Sequence, residues 1–132
     1  MPEDLRENEI SKLIVESAIE VHRSLGGPGL LECVYEEALA WELQQRSLKV
    51  ERQVTLPINY KGKTLGFRLR IDLIVGEAVI VECKAPVEHI SIFESQALTY
   101  LRLTNLKLAT VINFGERLVK NGIHRVVNGL GL

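Results

Sequence analysis

The sequence predicts a mixed α/β domain: two N-terminal helices, a three-strand meander, then a crossover helix and a returning strand. Three observations carry that reading. Residues 8–25 and 30–46 place apolar side chains at helical spacing. Between Lys49 and Ala85, runs rich in β-branched and aliphatic residues are broken by short glycine-containing segments, the mark of successive hairpins. A second amphipathic stretch, residues 91–103, separates that meander from the apolar run 108–114, so the last strand returns to the sheet through a helix.

The first helix carries Ile10, Leu13, Ile14, Ala18, Val21 and Leu25 on one side and charges on the other, and Gly26-Gly27-Pro28-Gly29 ends it. The second, with Leu31, Val34, Tyr35, Ala38, Leu39, Trp41 and Leu43 apolar, holds Glu32 in its first turn, where an acid complements the helix dipole. The glycine loop before it lacks the Gly-Lys-Ser/Thr of a nucleotide-binding P-loop. A strand over 50–58 is interrupted at Pro57, and Lys61-Gly62-Lys63 forms a hairpin turn. The strand 64–75 follows, then Gly76-Glu77 and the strand that Pro86 closes. Gln96 and Tyr100 lie four residues apart on one face of the third helix. Residues 123–127 suit a final edge strand.

A chain of 132 residues, 46% hydrophobic and 25% charged, makes one globular domain with a core that needs no staples. Two cysteines without paired spacing and three scattered histidines exclude a disulfide framework and argue against a zinc site. No apolar run reaches membrane-spanning length, and the acidic start Met1-Pro2-Glu3-Asp4 is unlike a secretory leader, so a cytoplasmic protein is expected. Net charge is −1, but residues 1–50 hold 5 Lys and Arg against 10 Asp and Glu, and residues 51–132 hold 11 against 7. A basic second part beside an acidic helical part is compatible with one phosphate-facing side, and equally with nothing in particular.

Within Arg68–Ala85, three charged residues stand in apolar strands that do not need them: Asp72, Glu82 and Lys84. Alternation puts Glu82 and Lys84 on one face and Val79, Val81, Cys83 and Ala85 on the other. It likewise groups Arg68, Arg70 and Asp72 against Leu69, Ile71, Leu73 and Val75. Matching the apolar faces brings Asp72, Glu82 and Lys84 to one side of a single hairpin. Two carboxylates and an ammonium suit a hard divalent cation and a steered water; the plainer reading is a surface salt bridge.

The element order with Asp72 on one strand and Glu82-Cys83-Lys84 on the next resembles the PD-(D/E)XK nuclease superfamily, with its restriction-endonuclease-like core. Gly29-Leu30-Leu31-Glu32-Cys33-Val34-Tyr35 is similar to the Gly-x-x-Glu-x-x-Tyr signature of the GxxExxY protein family. Leu56-Pro57-Ile58-Asn59-Tyr60-Lys61-Gly62, Val81-Glu82-Cys83-Lys84-Ala85 and Ile112-Asn113-Phe114-Gly115 look like that family too, so the likeness runs from Ile10 to Val127.

The resemblance implies a Mg²⁺ (or Mn²⁺) site made by Asp72, Glu82 and the Cys83 backbone carbonyl, with Glu32 as a further ligand or holding a metal-bound water. Lys84 would orient or deprotonate the attacking water, and Gln96 and Tyr100 would position the nucleophile or the nucleic-acid backbone. The implied activity is a metal-dependent nuclease acting on DNA ahead of RNA. The alternative is a nucleic-acid- or partner-binding module of nuclease fold with little turnover, and a third reading is a hydrolase of small phosphate esters. Substrate contacts are expected from Lys61, Lys63, Arg68, Arg70 and Lys107, supplemented by a dimer mate or a partner protein.

Overall fold

Apolar residues four, four and three apart, Ile10, Ile14, Ala18 and Val21, turn one stripe of helix α1 (Glu3–Ser24) into the core. The computed structural model describes residues 3–86 and 91–130, with side chains from residue 6 onward. Helix α1 closes in a Schellman motif: the Gly27 N–H reaches the His22 carbonyl at 2.7 Å and the Gly26 N–H that of Arg23 at 3.2 Å. Gly26 takes a φ of 89°, open to glycine without strain. Helix α2 (Glu32–Gln45) then buries Tyr35, Glu36, Leu39, Ala40 and Leu43.

Five strands follow in spatial order β1-β2-β3-β4-β5. Strands β1 (Val50–Tyr60), β2 (Lys63–Val75) and β3 (Val79–Lys84) form the antiparallel meander. Helix α3 (Ile92–Thr104) crosses over to β4 (Leu108–Asn113), which runs parallel to β3; β5 (Ile123–Val127) pairs antiparallel at the far edge after a 3₁₀ turn, Val119–Gly122. The fold is the expected one, a mixed sheet between helical layers. Pro57 does not end β1, because an edge strand tolerates a residue without an N–H, and pairing resumes after an irregularity between Pro57 and Asn59. Lys61 and Gly62, with φ of 50° and 81°, form the two-residue turn that suits a twisted hairpin.

The sheet has a helical layer on each face. Leu73, Val75, Val79, Val81, Cys83, Leu108, Ile112 and Phe114 pack under α1 and α2. Ile71, Ile74, Ile80, Ala109 and Val111 pack under Ala97, Tyr100 and Leu101 of α3. Central strands covered on both faces read as unbroken apolar runs, which is why β4 is buried throughout.

Two contacts hold the end of β3 where the charged residues emerge. The Phe114 N–H donates to the Lys84 carbonyl at 2.7 Å, and Gly115 lies so close that an added Cβ would sit 2.1 Å from the Pro86 carbonyl oxygen. Only glycine lets the chain leaving β4 press against Ala85-Pro86. Phe114 also stacks on Tyr35, with ring centroids 4.6 Å apart, an arrangement worth about 1 kcal/mol beyond its burial. Among the described residues no helix is long and apolar enough to cross a membrane.

Candidate metal and active site

The carboxylates meet where β2 and β3 stop pairing. The β2–β3 ladder runs from Val75 opposite Val79 to Leu73 opposite Val81 and ends there. One residue further, side chains replace the ladder: the Asp72 N–H donates to Glu82 Oε2 and the Cys83 N–H to Asp72 Oδ2, both at 2.8 Å. Each acid thus caps a backbone donor that strand separation would orphan, and each keeps a second oxygen for something else.

The same point corrects the expected faces. Leu73 and Val75 belong to the α1–α2 side, but Ile71 and Leu69 pack on the α3 side, so β2 reverses its alternation at Asp72. Strand β1 reverses with it: Val50 faces α1 and α2, whereas Val54 and Leu56 face α3. Between them Gln53, opposite Asp72 in register, takes a left-handed φ of 52°, which costs a non-glycine residue about 1 kcal/mol or more. Arg68 and Arg70 therefore do not share a face with Glu82 and Lys84, as simple alternation predicts. Asp72 sits at the reversal, between the two layers.

Burial dominates the electrostatics. Glu82 is 3% exposed, and burial, then the Asp72 charge, push its carboxyl up to about 8. Burial raises Asp72 to about 6, opposed by the Cys83 N–H and by Lys84 and reinforced by Glu36 and Glu32. Lys84 makes no direct ion pair with either acid among the described residues, yet its charge draws both downward. Its ammonium rests 4.8 Å from the centre of the Phe93 ring, on the α3 side. Tyr100, nearly buried on α3, is held protonated by burial and by the charges of Glu82 and Asp72. Gln96 lies one turn earlier and is exposed.

The fit to a cation follows from the donor set. Asp72 and Glu82 offer hard oxygens, but among the described residues no three His, Cys, Asp or Glu side chains form a ready-made metal cage. Two carboxylates without a full protein cage suit Mg²⁺, which keeps most of its hydration shell, better than a dehydrated ion. The Cys83 thiol points into the α1–α2 core, and burial raises it well above its ordinary value, so only its backbone could serve.

A sequence model of the PD-(D/E)XK nuclease superfamily matches residues 8–126. The chain belongs to that superfamily. No curated protein and no solved structure matches it. Asp72 and the Glu82-Cys83-Lys84 segment lie on adjacent strands, β2 and β3, whose mutual pairing ends at Leu73 and Val81.

The remaining expected residues divide. Glu32 is exposed at the first turn of α2, beside a cleft of about 650 Å³ that it shares with Ala85, Pro86 and Phe93, and its charge reaches Asp72. Tyr35 of the same signature is structural: its buried hydroxyl donates to the Gly27 carbonyl at 2.7 Å and accepts the Leu30 N–H at 3.1 Å. It ties down the loop that aims Glu32. Lys107 lies at the opposite end of β4, next to Leu108, whose partner is Val79, and the structure does not bring it to the carboxylates. Lys61, Lys63, Arg68 and Arg70 are all exposed on the β1–β2 hairpin.

Sequence reasoning passed over Glu36. It is 5% exposed, one helical turn after Glu32, and raises Asp72 more than Glu32 does. It accepts from Gln53 Nε2 at 2.6 Å and from Arg52 at 3.1 Å, pinning α2 to β1 at the strained position. The signal was available: Glu36 falls within the stripe of Tyr35, Leu39, Ala40 and Leu43, where an acid needs a partner.

Proposed function

We propose that the chain is a metal-dependent phosphodiester hydrolase acting on DNA, and that its resemblance to GxxExxY proteins reflects a shared use of Glu32. The observation that carries the reading is the Asp72–Glu82 pair, interlocked by hydrogen bonds at the strand opening with Lys84 beside it. A Mg²⁺ or Mn²⁺ held by Asp72, Glu82 and the Cys83 carbonyl would polarise the phosphoryl oxygen and lower the pKa of water. Asp72 and Glu82 bind protons unusually well without it, so protons and cation compete for the same oxygens and cation affinity rises with pH. Lys84 orients the attacking water or neutralises charge gathering on the phosphate. Tyr100, held protonated, serves as a hydrogen-bond donor rather than a base. Gln96, on the same helix face, holds the nucleophile or a backbone phosphate.

Purified protein is incubated with Mg²⁺ or Mn²⁺ and supercoiled, linear and single-stranded DNA, alongside Glu82→Ala and Lys84→Ala. Cleavage by the wild type that drops at least 100-fold in both variants is expected, the range for losing a general acid, base or charge stabiliser. Binding without cleavage in the wild type would replace the hydrolase with a binding module of the same fold.

A further inference from the structure

The outer part of the β1–β2 hairpin has no role in the core. From Asn59 to Arg68 every residue is exposed, so this two-stranded ribbon carries no layer on either face. It nonetheless displays Tyr60, Leu65 and Phe67, at 59%, 36% and 85% exposure. Pairing passes from Pro57 opposite Arg68 to Asn59 opposite Thr64, so Leu65, Gly66 and Phe67 on β2 face the single residue Ile58 on β1. A bulge of this kind re-aims a side chain, and here it leaves Phe67 almost wholly in solvent. Between Gln53 and Ile71 the chain holds Lys61, Lys63, Arg68 and Arg70 and no acid. The Lys61 ammonium lies 5.3 Å from the centre of the Tyr60 ring. Arg70 stands two residues from Asp72, about 7 Å along an extended strand, on the face opposite Glu82 and Lys84.

The geometry points to this arm as the holder of an unpaired polynucleotide strand, with Phe67 and Tyr60 stacking on bases and Lys61, Lys63, Arg68 and Arg70 on phosphates. The substrate class of the carboxylate site is then single-stranded or locally unpaired nucleic acid; this rests on the hydrolase reading above. Intact duplex offers phosphates but hides its base faces, and phosphates alone need no exposed aromatic ring. Aromatic platforms interleaved with cations are the physical requirement for single strands. Two copies meeting arm to arm would oppose like charges, which disfavours self-association through this surface.

Fluorescence anisotropy in EDTA compares a labelled single-stranded oligonucleotide with the same sequence as blunt duplex, for wild type, Phe67→Ala, Tyr60→Ala, Phe67→Trp and Glu82→Gln. The wild type binds the single strand more tightly. Phe67→Ala weakens that binding about 5-fold or more, Phe67→Trp restores it, and duplex binding and melting temperature stay unchanged. Arg68→Ala lowers the salt slope for the single strand by about 0.7. Equal affinity for both oligonucleotides, or an unchanged single-strand affinity in Phe67→Ala and Tyr60→Ala, overturns the inference. So does a sedimentation shift to smaller mass in Phe67→Ala, which would make the ring a contact between copies. Cleavage of DNA by Phe67→Ala at wild-type rate and affinity sinks the arm and leaves the hydrolase. Arm-dependent single-strand binding by a wild type that cleaves nothing, matched by Glu82→Gln, keeps the arm and sinks the hydrolase.

Discussion

Replacing Glu82 with glutamine tests the electrostatics of the site without asking for catalysis. The glutamine oxygen can still accept the Asp72 N–H, so the local geometry survives while the ionisable group disappears. In the metal-free protein, the folded state holds the Glu82 proton to about pH 8, whereas the unfolded chain releases it near 4.5. Between those values the native state binds more protons than the unfolded one, so stability falls as pH rises. A rise from 4.5 to about 8 amounts to roughly 5 kcal/mol against the ionised form, of which about 3 kcal/mol is lost between pH 5 and pH 8. For a domain of this size that is about 10 °C in melting temperature. Melting curves in EDTA from pH 5 to pH 9 are expected to show the wild type losing that much. Glu82→Gln should match the wild type at pH 5, stay nearly flat and melt about 10 °C higher at pH 8. Comparing the two at each pH cancels the other titrating groups. Mn²⁺ at about 100 times its dissociation constant should return about 2.7 kcal/mol to the wild type at pH 8 and far less to the variant. Equal slopes for the two proteins would refute the claim that Glu82 is ionised at a cost, and with it the idea that a cation relieves that cost.

Glu36→Gln should destabilise by about 1–2 kcal/mol in urea melts, since it weakens two charge-assisted hydrogen bonds to partly exposed partners, while exposed Glu32→Gln stays within about 0.5 kcal/mol. Tyr35→Phe strands the Leu30 N–H and the Gly27 carbonyl, costing about 1–3 kcal/mol and speeding amide hydrogen exchange across residues 26–30. Ser47→Gly, at an exposed position with a φ of 63°, should raise urea-melt stability by about 0.5–1 kcal/mol.

The meander, the crossover and the helical layers were legible because each rests on a local period: four-residue spacing in α1, alternation in β3, an unbroken apolar run in β4. The local reading fails at Asp72. Nothing in Arg70-Ile71-Asp72-Leu73 marks a reversal, for no glycine or proline stands there. The reversal comes from the neighbouring strands, where Gln53 adopts a left-handed backbone and β3 stops pairing with β2 after Val81. The distance of Lys107 from the carboxylates was not legible for a similar reason: a parallel register sets which end of β4 lies beside Lys84, and that register is a long-range property. Glu36 was hidden by the habit of reading helical acids as solvated.

These misses share one physical source with the site itself. Regular pairing would satisfy the backbone at Asp72 and Cys83 and leave both carboxylates to point away into solvent or into a helical layer. Where the ladder stops, the acids must take over its hydrogen bonds, so they are drawn inward, desolvated and pressed together. The same displacement that defeats the alternation rule raises their hold on a proton, and a group that holds a proton against its neighbours will exchange it for a better-placed cation. If the ladder were mended, for instance by a β-branched valine at Gln53, which disfavours the left-handed backbone and pushes β1 and β2 toward plain alternation, both acids would return toward ordinary pKa values and cation binding would weaken. Carboxylate titration by NMR in Gln53→Val decides it: values for Asp72 and Glu82 unchanged from the wild type would mean that burial by the helices alone, and not the broken pairing, makes the site.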